Sequence, residues 1–357
     1  MNNKVIKDVL SKLKLNSVNI RILKTPKMED GVLYSTDLDD YFVVDTNNKD
    51  INGYIDVSIF NKTLNFENSL IVLNDVKNDY PLLGTEDKEV KSIINSSIFN
   101  EDITDFIDFV SKEEKQNLIL KNVLFDSNNK IIAATDGTKL FYKKNNNIEY
   151  SFVLTTNTIR ILSSILKDER LVSVNLYDNK IEFTGNGWLL ISNIQDVTTY
   201  PDLMKVIPTE GNEVKFNTKQ LQILNSAIDC LLPFTDEYKR IIFEKNELRV
   251  CNIYGNHYVK TKIPFEFSSD YPIMINVEKM KTVLSKFEKT GCSIRFPLNA
   301  ISRERKTGLV FEYKNQLGLI TPYIILEEYK EEREFKLIEN KNSRNNTFSK
   351  LNKFIKS

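Results

Sequence analysis

An α+β architecture of three repeated units, each with two helices packed on antiparallel strands, is what this sequence predicts. Three observations carry it. A strand opened by tyrosine and followed by a helix occurs three times, from Tyr54, Tyr150 and Tyr271. A helical stripe of apolar residues precedes each copy, and strand-like runs with a turn fill each interval. The period of about 95–120 residues exceeds the ~20–50 residues of a solenoid repeat, so the copies read as domains of one fold. Strands interleaved with helices in this order put the helices on one face of the sheet.

The elements follow in order. Val5, Ile6, Val9, Leu10 and Leu13 mark the first helix; Gly31–Val44 is a strand pair with a turn at Ser35-Thr36-Asp37-Leu38. Tyr54 to Leu64 then reads as strand and helix. In the second copy Phe99, Ile103, Phe106 and Val110 recur at helical spacing, and Leu118–Lys143 holds strands around Ala134-Thr135-Asp136-Gly137. The helix of Ile159, Leu162 and Leu166 follows, with Thr156 or Asn157 as cap, then strands over Val172–Leu176, Lys180–Thr184 and Trp188–Ile191. In the third copy Leu221, Leu224, Ile228 and Leu231 form the stripe. Arg240–Lys262 turns at Asn252-Ile253-Tyr254-Gly255, and Asn276 is placed to cap the helix of Val277, Met280, Leu284 and Phe287. Strands over Gly308–Tyr313 and Leu317–Leu326 close it. The resulting boundaries are 1–91, 92–208 and 209–330, with a basic tail at 331–357.

Composition bounds the function. Of 357 residues, 41% are hydrophobic and 27% charged, enough for a core and a soluble surface and against a disordered chain. No apolar run reaches a membrane span, and Met1-Asn2-Asn3-Lys4 opens no export signal, so a cytoplasmic protein is expected. The formal net charge is zero, so any nucleic acid is met through a local surface. Cys230, Cys251 and Cys292 are too scattered for a disulfide framework or zinc site and read as buried or inert thiols.

Catalytic patterns are absent. No phosphate-binding glycine loop occurs, and the single histidine, His257, lacks partner spacing and reads as a strand residue. Gly185-Asn186-Gly187-Trp188 reads as a hairpin turn. Glu327-Glu328 and Glu331-Glu332 read as solvated. Asp37-Leu38-Asp39 resembles the nucleophile of aspartate phosphatases, yet its Thr-Asp recurs at Thr135-Asp136, and a repeated feature is more simply a turn capped by aspartate. No enzyme, cofactor or metal is expected.

Two segments carry a resemblance. Ala134-Thr135-Asp136-Gly137-Thr138-Lys139-Leu140 and Tyr200-Pro201-Asp202-Leu203-Met204-Lys205-Val206-Ile207-Pro208 resemble the signature segments of the bacterial DNA sliding clamp, the beta subunit of the replicative polymerase. Pro322-Tyr323-Ile324-Ile325-Leu326 looks like that family's final strand. The resemblance covers about residues 1–330. It implies three clamp domains per chain, a homodimer closed head to tail into a ring around double-stranded DNA, and binding of the replicative polymerase and clamp loader. The sequence is identified as a divergent member of phage or plasmid type. By position, the partner-peptide pocket would be lined by Leu120, Thr135, Gly137, Thr138, Lys139, Leu140, Pro201, Lys205, Val206, Ile324 and Leu326.

A ring that slides must offer cations to phosphate and read no bases. The helix faces supply Lys4, Lys7, Lys12 and Lys14; Arg160 and Lys167; Lys219; and Lys279, Lys286 and Lys289. The stretch of Glu101, Asp102, Asp105 and Asp108 is acidic instead and would repel phosphate. The first domain is short, which keeps open a clamp-fold scaffold that recruits proteins without encircling DNA. Thr138 and Lys139 stand where the family has His and Arg, and Glu327 and Glu328 follow the last strand, so a more basic partner motif is expected. Beyond Asn340–Asn346, Phe348, Leu351, Phe354 and Ile355 recur at helical spacing and suggest a short docking segment.

Overall fold

Val5, Ile6, Val9 and Leu10 lie on one side of a helix, α1 (Asn3–Lys12), and all four are buried. That stripe is the first of several that cover antiparallel sheets. The structure, a computed structural model, describes residues 3–13, 25–46, 53–55, 72–73, 89–99, 102–113, 117–235, 237–251, 258–266, 272–297 and 308–323. After α1 come β1 (Lys27–Glu29), β2 (Val32–Thr36), β3 (Asp40–Asp45), β4 (Gly53–Ile55) and β5 (Val72–Leu73). The middle third holds β6 (Ser92–Ile93), β7 (Asn122–Asp126), β8 (Ile131–Thr135), β9 (Lys139–Lys144) and β10 (Phe152–Thr155). It continues with α2 (Thr156–Ile165), β11 (Leu171–Leu176), β12 (Lys180–Gly185) and β13 (Trp188–Asn193). The last third holds β14 (Asn212–Phe216), α3 (Thr218–Leu231), β15 (Arg240–Glu244), β16 (Glu247–Cys251), β17 (Tyr258–Lys262) and β18 (Ile273–Asn276). It ends with α4 (Val277–Leu284), β19 (Cys292–Phe296), β20 (Leu309–Tyr313) and β21 (Gln316–Ile320).

The sheets do not respect the repeat. One runs β5-β4-β1-β2-β3-β13-β12-β11-β6, so strands of the first and middle thirds share it. The second runs β10-β7-β8-β9-β21-β20-β19-β14 and joins the middle to the last third. The joints are equivalent: Asp40 pairs with Ser192 where β3 meets β13, and Lys139 with Ile320 where β9 meets β21. The third sheet, β17-β16-β15-β18, has four strands, and among the described residues none continues beyond β17. Phenylalanines fill the space under the helices. Phe125 stacks on Phe152 at 4.5 Å, and Phe141 faces Phe287 of the last third at 6.3 Å.

Several expectations change. The stretch from Phe99 to Val110 is not one α-helix but two 3-10 segments, Ser96–Phe99 and Ile103–Phe109. Ile103, Phe106 and Phe109 are spaced by three and all buried, which suits three residues per turn. Thr155, not Thr156 or Asn157, caps α2 by accepting from the Thr158 amide, whereas Asn276 caps α4 as expected. The strand expected over Leu317–Leu326 stops at Ile320, and Tyr323 makes only an isolated bridge to Met274. Of the thiols read as buried or inert, Cys230 is exposed; Cys292 is buried, and burial pushes its thiol up to about 12. The second helix of the first third, His257, the 252–255 turn, Glu327-Glu328 and the whole tail lie outside the described residues.

Candidate partner-binding cleft and basic helix faces

The Thr-Asp turn is built by its own side chains, twice. Between β8 and β9, Thr135 Oγ1 donates to the Lys139 carbonyl (2.7 Å) and accepts from the Gly137 amide (3.0 Å). Asp136 Oδ1 accepts from the amides of Thr138 and Lys139, both at 2.8 Å. Between β2 and β3, Thr36 and Asp37 make the same bonds to Asp40, Leu38 and Asp39. Asp37 is thus a turn cap, as the repeat implied, with its Oδ1 accepting from two backbone amides.

At the joint of the middle and last thirds the turn opens onto a cleft of about 640 Å³. Its walls are Asp108, Val110, Ser111, Lys112 and Glu113 from the 3-10 side, Asp136, Thr138 and Lys139 from the turn, and Leu232, Asn276, Glu278, Lys279, Lys281 and Thr282 from α3's end and α4. Of the residues expected to form a pocket, only Thr138 and Lys139 line this space. Lys139 is buried, donates to the Asp108 carbonyl, and stands 5.2 Å over the Phe109 ring. Burial, helped by the nearby charges of Lys112 and Lys279, holds its ammonium below the ordinary lysine value despite Asp136 and Asp108. The cleft residues missed by sequence reading come from stretches far apart in the chain, and no local pattern marks them.

Two of the other expected pocket residues, Leu140 and Leu120, belong to the cluster on the opposite face of the same sheet. Leu140 is only 1% exposed and packs in one cluster with Ala133, Tyr200, Leu203, Ile207 and Leu319, so it supports that face rather than lining an opening. Leu120 packs against the cluster and lies 3.9 Å from where a Cβ on Gly137 would stand, linking the turn to that face. Thr135 is buried within the turn. Pro201, Lys205 and Val206 are exposed, with Lys205 paired to Asp202 at 3.1 Å. Ile324 and Leu326 lie outside the described residues.

Among the helices, α1 packs on α2, the Ile103–Phe109 turns pack on α2, and α3 packs on α4. Of the cations expected on their faces, Lys4, Arg160 and Lys219 are exposed, Lys7 is half-buried, and Lys167 and Lys289 are exposed just beyond the ends of α2 and α4. Other cations expected there are engaged. Lys12 pairs with Asp8 at 2.6 Å and donates to Ser164 of α2. Lys286 pairs with Asp105 (2.9 Å) and Asp108 (3.0 Å), and Asp105 also takes Lys143 at 3.0 Å. Burial works to raise the Asp105 carboxyl, but the hydrogen bonds from Lys286 and Lys143 prevail and hold it below the usual carboxylate range. The acidic stretch is therefore answered within the chain, and Lys286 is spent on it. Lys279 belongs to the cleft, and Lys14 is outside the described residues. No described helix is long and apolar enough to cross a membrane, and no cluster of metal-ligating side chains occurs among the described residues.

No protein-family model matches the chain, and no curated protein matches it by sequence. Solved structures do. The DNA polymerase sliding clamp of Bacillus subtilis is 18% identical, with a TM-score of 0.70 over 91% of this chain and 98% of that one. The DNA polymerase III beta subunit of Thermotoga maritima is 16% identical, with a TM-score of 0.69 over 91% and 97%. The sliding clamp of Pseudomonas aeruginosa, solved with a ligand, is 15% identical, with a TM-score of 0.68 over 91% and 99%. The chain has the fold of the bacterial DNA polymerase III beta sliding clamps along nearly its whole length.

Proposed function

We propose that this protein is a non-enzymatic DNA polymerase processivity factor. It encircles duplex DNA as a head-to-tail homodimer and tethers a polymerase, and is loaded by a clamp loader, through the joint of its middle and last thirds. The three-domain division at 1–91, 92–208 and 209–330 belongs to this reading. One observation carries it. β3 and β9 each find a strand of the following unit, whereas β17, their counterpart in the last third, ends its sheet among the described residues. The same joint made once more, to a second copy, continues the series, and a rotation that closes gives a ring. Exposed Lys4, Arg160, Lys167, Lys219 and Lys289 supply the phosphate contacts, which carry no base preference.

A second reading, a recruitment scaffold that does not encircle DNA, is favoured by the pairing of Lys12 and Lys286 with acids, which thins the basic lining. Two measurements separate them. Sedimentation should give a dimer, and protein loaded on a nicked circle should remain through gel filtration and be lost when the circle is cut. A strict monomer, or equal loss from circle and linear DNA, returns the scaffold.

A further inference from the structure

The two joints of the chain are copies of one arrangement, and they differ in the charge at one place. In the first joint Asp40, at the start of β3, is fully buried. Its carboxylate accepts from Asn157 Nδ2 at 2.9 Å and Thr158 Oγ1 at 2.8 Å, the second and third residues of α2. In the second joint the matching residue is Lys139, and the matching helix residues are Glu278 and Lys279 of α4. Glu278 is drawn away to Lys239 and Lys281 to Asp229. Asp108 is taken by Lys286. Lys139 has one ion pair, to Asp136 of the turn at 3.8 Å, while Lys112 and Lys279 have none among the described residues, and all three line the cleft.

We infer that the cleft receives an acidic side chain, Asp or Glu, of a partner's docking segment, seated between Lys139, Lys279 and Lys112. This rests on the reading of the joint as the partner-binding site. It reverses the more basic motif expected from Glu327 and Glu328, residues outside the described part. Lys112 and Lys279 add their charges to that of Lys139, which Asp136 answers only in part at 3.8 Å; one further carboxylate relieves them, and charge-assisted hydrogen bonds to it are the strong kind. Glu113, the acid of the wall with no ion pair among the described residues, sets a limit: one carboxylate is accommodated, and a run of them is repelled.

Selection of random short peptides against the full-length protein tests this. Enriched sequences should carry a single Asp or Glu near apolar residues. Changing that acid to Asn or Gln should weaken binding about tenfold or more, an effect that raised salt diminishes. Lys112→Gln with Lys279→Gln, both at accessible positions, should cause the same loss, and the two losses should not add. Peptides that lose binding to a Thr138→Trp variant yet ignore the acid would overturn the carboxylate and leave the partner site standing. Peptides indifferent to every cleft substitution would overturn both. If the lysine variants bind peptide normally but leave nicked circles faster, the lysines serve DNA phosphate and the inference fails.

Discussion

The first joint is sealed and the second is open, although the same turn, the same strand pairing and the same helix start build both. At the first, Asp40, Asn157, Thr158 and Ser192 form a buried hydrogen-bonded group, with Asp37 3.4 Å from Asn157. At the second, the matching strand pair is Lys139 and Ile320, and a cleft of about 640 Å³ remains. A repeated fold therefore closes one joint and leaves the other open by changing a few side chains. A carboxylate that satisfies the helix side chains closes the gap, and a lysine that cannot leaves a cleft.

The comparison is broken most severely by exchanging the charges. Asp40→Lys buries an ammonium against hydrogen-bond donors with no anion but Asp37, and should cost about 3–5 kcal/mol in urea unfolding. Lys139→Met should cost only about 1 kcal/mol, because the cleft lets water reach the Asp108 carbonyl that it leaves. Equal losses would mean that the second joint is as sealed as the first. Next in size is the outer face of the open joint. Leu140→Ala should destabilise by about 2–5 kcal/mol, as a buried leucine does, whereas Val206→Ala, at a residue 49% exposed, should leave stability unchanged. A peptide-binding loss from Leu140→Ala would then be read only beside its unfolding curve.

Much of this was legible where the determinants are local. The Thr-Asp turns close within five residues, and the Asn276 cap within four, so sequence reasoning reached both. The Ile103, Phe106, Phe109 spacing was also present, but including Val110 made it resemble a 3.6-residue period. What was not legible is long-range. Lys286 meets Asp105 across 181 positions, so its loss to the DNA-facing set could not be read from a helix face. The cleft likewise needs residues near 110, 138 and 279 at once. Leu140 reads as pocket wall from its place in a motif, which says nothing about the buried cluster it shares with Tyr200 and Leu203.

A pH dependence should separate the joints more gently. Burial, then the Asp37 charge, pushes Asp40 up to about 6. The unfolded aspartate titrates near about 3.9, so between about pH 4 and 6 the folded chain holds a proton that the unfolded chain has released. Stability at the first joint is then greatest below about pH 4, falls as pH rises through 6, and levels off above. Asp40→Asn should flatten that slope and raise stability at neutral pH. A slope unchanged in Asp40→Asn would assign it to another group.

The smallest effect lies in the turns themselves. Gly137 sits at φ 86°, and the matching residue of the first joint, Leu38, sits at φ 80° with its side chain 54% exposed. A left-handed backbone costs a non-glycine residue about 1–2 kcal/mol. Glycine escapes that cost but gives back roughly 0.5–1 kcal/mol through the greater freedom of the unfolded chain. Leu38→Gly should therefore stabilise by at most about 1.5 kcal/mol, and Gly137→Ala should destabilise by a similar amount. The Leu38 carbonyl accepts from Asn193 Nδ2 at 3.2 Å, a bond across the first joint that either residue at position 38 can make. The exchange thus changes backbone strain and leaves the joint's hydrogen bonding intact. If Leu38→Gly instead destabilised the protein, the exposed leucine would have to be held by contacts beyond the turn, and the two turns would no longer be equivalent.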